Sequence, residues 1–119
     1  MKLHFRMMAA YNRWANATLY TAAADLTDAE FSHDTGVFFK SMLGTLNHIL
    51  VADRIWMKRF TAEGEAPKSL DAIIHPNLTP LRLAREAEDG RISAWVESLS
   101  EASLDMIYFQ RTEDGREFA

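Results

Sequence analysis

The chain has 119 residues, with 13 Lys and Arg against 17 Asp and Glu for a net charge of -4, 48% apolar residues and no cysteine. Such a composition describes one small globular domain and excludes a disulfide framework, a thiolate nucleophile and cysteine-ligated zinc. Its basic residues are scattered singly among acids, which argues against nucleic acid as a partner.

At the N-terminus, charged residues interrupt every apolar run before it reaches signal-peptide length, and no stretch approaches the roughly 20 apolar residues of a membrane span. The expected location is cytoplasmic, with no membrane partner. From Lys2 to about Ala24, Met8, Tyr11, Ala15, Leu19 and Ala22 recur at helical spacing, with Met7 and Trp14 widening the stripe. This predicts a first long helix with that stripe buried. Thr27 and Glu30 have the spacing of a capping box for a short helical turn, and Gly36 closes the connection.

From about Ser41 to Phe60, Met42, Leu46, Ile49, Leu50, Trp56, Met57 and Phe60 share one sector of a helical wheel. Gly44, Val51, Ala52 and Ile55 make the other side small or apolar, so this second long helix is expected to lie deep. A loop with Gly64, Pro67 and Pro76 follows, from Ala62 to Asn77. Thr79 then reads as the N-cap and Pro80 as the first residue of a third helix running to about Leu99, with Leu78 and Leu83 as a hydrophobic staple. Its expected buried stripe is Leu81, Ala84, Ile92, Trp95 and Leu99. Past Ser100 the pattern becomes β-branched and aromatic at Met106 to Phe109, and Asp114-Gly115 is a hairpin-turn dipeptide, so a strand is expected near Met106 with its return from Arg116. Three wide apolar helix faces leave a groove, to be covered by a fourth helix or by a second copy of the chain. A homodimer is expected, with the Met7 and Trp14 side of the first helix in the interface.

Chemistry must come from four histidines and a few carboxylates. His4, His33, His48 and His75 never fall at the spacing that lets two imidazoles on one helix face share a metal. His48 lies on a small-residue face with Ser41, Gly44 and Ala52, where a lone histidine is more often packed than ligating. Asp53 sits inside the apolar stripe of the second helix, and Arg85 and Glu88 interrupt that of the third. The favoured reading, over a catalytic carboxylate, is a buried ion pair or hydrogen-bond network between these helices, with Arg85 or Arg54 as partner of Asp53 and with Asn12 and Asn16 at its edge. His4 is expected to be half-buried, and His33 and His75 to face solvent.

Tyr11-Asn12-Arg13-Trp14-Ala15-Asn16 and the long segment from Phe38 to Trp56, which contains Leu46-Asn47-His48-Ile49-Leu50, resemble the opening motifs of the DinB family. Arg85, Asp89, Trp95, Tyr108 and Gly115 resemble its later pattern. The resemblance, to the DinB/YfiT-like group, covers essentially the whole chain. It implies an all-α fold, an up-down-down-up four-helix bundle with a short β-hairpin, as a single domain over residues 1–119. It also implies a frequent dimer and a divalent metal, zinc or nickel, held by three histidines. The second-helix ligand corresponds to His48, and the other two come from an H-x-x-x-H pair on a fourth helix after the hairpin. Because the sequence ends within the hairpin, the chain is expected to be the front part of a longer member. The implied activity is that of a metal-dependent enzyme, a hydrolase or thiol-dependent transferase acting on an unidentified small molecule; the alternative is a non-catalytic dimeric helical bundle without metal.

Overall fold

A computed structural model describes residues 1–36 and 39–102. These form four helices, α1 (Lys2–Ala23), α2 (Asp28–Ser32), α3 (Met42–Thr61) and α4 (Leu78–Ser98). The expected hairpin near Met106 and its turn at Gly115 lie outside the described residues.

The helix boundaries follow local chemistry. Thr27 Oγ1 accepts from the Glu30 backbone N–H at 3.1 Å while Glu30 Oε1 accepts from the Thr27 N–H at 2.9 Å, so the capping box at α2 is complete. Those same bonds hold the Glu30 carboxyl below its ordinary pKa. At α3, Ser41 Oγ accepts from Gly44 N–H at 3.0 Å. The helix ends where Ala62 adopts the left-handed conformation, with φ of 59°. α4 departs from expectation, because it begins at Leu78 with Asn77 as N-cap. Thr79 and Pro80 therefore lie inside its first turn, where a missing N–H costs nothing because that donor has no intrahelical partner. Leu83 is exposed rather than stapled to Leu78, which packs on the core instead.

α4 is the central helix, packing along α1 on one side and α3 on the other. At one end of the α1–α4 pair, Arg6 grips Glu97 through two bonds of 2.6 and 2.8 Å, and Lys2 Nζ donates to the Glu97 carbonyl. At the other end Arg82 donates to Thr21. α1 therefore runs antiparallel to α4. α3 runs parallel to α4, as Arg85 meets Asp53 and, further along both, Arg91 meets Thr61. The main core gathers Tyr20, Ala23, Phe31, Leu46, Leu50 and Leu81 where α1, α2, α3 and α4 converge.

α3 is largely covered, as its sequence implies: apart from Met42, Lys58 and Arg59 its residues are buried or half-buried. α1 is the main correction. Its buried residues are Ala9, Asn16, Tyr20 and Ala23, each one position beyond Met8, Ala15, Leu19 and Ala22 of the expected stripe. One position is about 100° of rotation, enough to turn an amphipathic helix onto its other side. The turn is stabilised by polar groups: Asn16 and its neighbour Asn12 face carboxylate on α4, so burying them satisfies hydrogen bonds that an apolar count treats as surface. Leu3, Met7, Tyr11 and Trp14 are left in a continuous exposed row, each more than 60% accessible. On α4 the expected stripe is half right. Leu81 and Leu99 are buried and Ala84, Ile92 and Trp95 half-buried, while the covered positions between them are Arg85, Glu88, Asp89 and Val96.

Candidate functional site

Two polar assemblies organise the interior. The first is built on Asn47 and His48, adjacent residues in the first half of α3. Asn47 has no exposed surface. Its amide donates to the carbonyls of Leu43 (2.9 Å) and His75 (3.1 Å), and its Oδ1 accepts from the backbone N–H groups of Ile74 (2.8 Å) and His75 (3.2 Å). One buried side chain thus serves three backbone groups of the loop before α4, fastening that loop onto α3.

His48 is half-buried, with Nδ1 3.0 Å from the carbonyl oxygen of Leu70 in the same loop. A carbonyl can only accept, so this contact requires the proton on Nδ1, and in the neutral ring the lone pair is then on Nε2. Phe39 stacks on the imidazole at a centroid distance of 3.7 Å and an interplanar angle of 15°. The ring is thereby fixed in both tautomer and orientation, the arrangement typical of a metal-binding histidine whose second nitrogen is held by an outer partner. The small faces of Gly44 and Ala52 lie one turn to either side. Among the described residues no group of three His, Asp or Glu side chains is placed to hold a metal ion, and His48 is a single donor.

The other histidines lie elsewhere. His4 is exposed rather than half-buried, near Phe5 at the start of α1, and His33 is exposed at the end of α2. His75 is half-buried instead of solvent-facing, because both its backbone groups are bound by Asn47.

The second assembly is the ion-pair network. Arg85, 1% exposed, directs Nη2 to Asp53 Oδ2 at 2.6 Å and to Asp89 Oδ1 at 2.7 Å. Asn16 donates to the same Asp89 oxygen at 3.1 Å, and Asn12 approaches it at 3.5 Å. This single node joins α1, α3 and α4. It answers the question left by the sequence: Arg85, not Arg54, partners Asp53. Burial raises the Asp89 pKa, although Arg85 and Asn16 pull it down. Tyr20, beside the same node, has its phenol pushed up to about 12 by burial, with Arg85 opposing and Asp89 reinforcing. Glu88 pairs separately with Arg91, which also reaches Thr61 and the Glu63 carbonyl at the end of α3.

Sequence reading singled out His48, Asp53, Arg85, Glu88 and the two asparagines, but took Asp89 only from the family pattern and gave Asn47 no role. A signal for Asn47 existed, since an amide directly before His48 on a largely apolar helix needs buried partners. The partners themselves are backbone atoms of a loop far along the chain, which composition does not reveal.

The model of the DinB family matches residues 1–118, and the chain belongs to that family. No curated protein and no solved structure matches it.

Proposed function

We propose that this DinB family member is a metal-dependent enzyme of hydrolase or thiol-dependent transferase type, in which Nε2 of His48 is one ligand of a divalent ion, zinc or nickel. The observation that supports this reading is the Leu70 carbonyl on Nδ1 combined with the Phe39 stack, which together fix the ring and leave Nε2 as the nitrogen available to a ligand. The described residues hold no group of three His, Asp or Glu side chains placed for a metal, so the remaining ligands would come from outside them. A metal there would polarise a substrate carbonyl or lower the pKa of a bound water or thiol. In this chain Asn47 holds the loop that carries Leu70, the Leu70 carbonyl sets the imidazole tautomer, and Phe39 covers one ring face against water.

Histidine imidazole resonances read the assignment directly, even for weak binding. On titration with zinc or nickel the His48 signals are expected to move first, and His48→Ala is expected to abolish the saturable component. Movement of His4, His33 or His75 with His48 unchanged would refute it.

The exposed row Leu3, Met7, Tyr11 and Trp14 favours a homodimer through α1, whether the protein is catalytic or only a helical bundle without metal. Sedimentation is expected to show a dimer that Trp14→Glu converts to a folded monomer. A monomeric wild type at micromolar concentration overturns this.

A further inference from the structure

We infer that the cleft between α1 and α4 is a binding site for a small oxyanion, a carboxylate or phosphate group, separate from His48 and independent of the metal reading. The cleft has a volume of about 200 Å³ and is lined by Arg13, Asn16, Tyr20, Arg82, Arg85 and Asp89, with Ala17 and Glu86 completing the wall. A water occupies about 30 Å³ of liquid, so this space admits a ligand several times larger.

The case rests on donors that find no acceptor among the described residues. Arg85 spends only Nη2 on Asp53 and Asp89, while its Nε and Nη1 are buried with no hydrogen-bond partner among the described residues. The Tyr20 hydroxyl is likewise buried without a partner among them. Arg85 and Tyr20 are each 1% exposed, and both line the cleft. Native interiors rarely leave such groups unmatched, and each one is costly. The two guanidinium nitrogens can only donate and the phenol can donate as well, so a group presenting acceptor oxygens suits all three. Two further guanidiniums, Arg13 and Arg82, flank the same cleft. The carboxylates of the wall are already engaged: Glu86 pairs with Arg82 at 3.4 Å, and Asp89 accepts from Arg85 and Asn16. Planar guanidinium forks match carboxylate and phosphate oxygens, and a small turn of Arg85 or Tyr20 toward the cleft gives either one an acceptor. The water-filled alternative satisfies the same donors without selectivity for charge.

Calorimetric titration with inorganic phosphate and, separately, with acetate at constant ionic strength tests this. Saturable one-site binding of phosphate alone, acetate alone or both is expected, and identifies the oxyanion preferred. Arg13→Ala and Tyr20→Phe are each expected to weaken it by about tenfold, the effect of losing one charge-assisted or buried hydrogen bond. Both leave the Arg85 node in place. Arg59→Ala removes an equal charge at a site over the Trp56 ring, outside the cleft, and is expected to leave binding unchanged. Absence of saturable binding by either anion, or an equal loss in Arg59→Ala, overturns the proposal and assigns the cleft to water.

Discussion

Arg85→Met removes the charge at the three-helix node while nearly preserving volume, so packing contributes little to the outcome. Asp53 keeps access to water, its side chain being 27% exposed, and is rehydrated at modest cost. Asp89 is only 4% exposed and retains just the amides of Asn16 and Asn12. The expense therefore concentrates on one buried carboxylate, and the loss is expected near the lower end of the about 3–5 kcal/mol that follows removal of one partner from a buried pair. Adding Asp89→Asn removes the stranded charge, so Arg85→Met/Asp89→Asn is expected to recover about 2 kcal/mol of it, a coupling within the usual range for contacting residues. The sign of the pH dependence is fixed as well. Burial already raises Asp89 above its unfolded value, and loss of Arg85 raises it further. A carboxyl raised in the folded state contributes stability that is fully present below the unfolded carboxylate pKa and is lost as pH rises through the folded value. The Arg85→Met penalty is thus expected to be small near the ordinary carboxylate pKa of about 4 and to grow as pH rises toward neutrality. Urea melts at the two pH values, on wild type and both variants, measure it. A neutral-pH penalty below about 0.5 kcal/mol, the scale of a surface change, or a penalty independent of pH, refutes the node as a charged, buried centre.

Three further outcomes follow from named contacts. Asp53→Ala is expected to cost only about 1–2 kcal/mol in the same melts, because Arg85 retains Asp89 and the lost hydrogen bond is partly solvated. Gly44→Ala, which in an ordinary helix interior stabilises by about 1 kcal/mol, is expected to lower the melting temperature, since its Cβ would collide with the backbone carbonyl of Phe39; a raised melting temperature contradicts this. Tyr20→Phe is expected to be neutral to stabilising below the ordinary phenol pKa of about 10, as the buried hydroxyl has no partner among the described residues. The wild type alone loses the contribution of Tyr20 as pH rises through about 12, so melts on the alkaline side should favour the variant, and equal alkaline sensitivity refutes the buried phenol.

Periodicity, caps and breakers were sufficient to locate the helices: Ser41 and the Thr27–Glu30 box lie where local hydrogen bonding requires, and the α3 stripe of Leu46, Leu50 and Met57 is buried as its spacing implies. These features depend on neighbours within one or two turns, so the sequence determines them by itself. It also exposed the anomaly of Asp53 and Arg85, because a charge inside an apolar stripe needs a partner wherever the chain goes. The long motif around His48 carried the family. The face that α1 buries was decided only by tertiary structure: Asn12 and Asn16 meet a carboxylate on α4, Tyr20 and Ala23 enter the core beside them, and Met7, Met8, Tyr11 and Trp14 are left on the outer side. The setting of His48 was decided in the same way. Phe39 and the Leu70 carbonyl reach it from the two connections flanking α3, and Asn47 holds the second of these in place. Such contacts pair side chains with backbone atoms of loops, whose positions follow from the packing of whole helices and leave no periodic trace in the sequence.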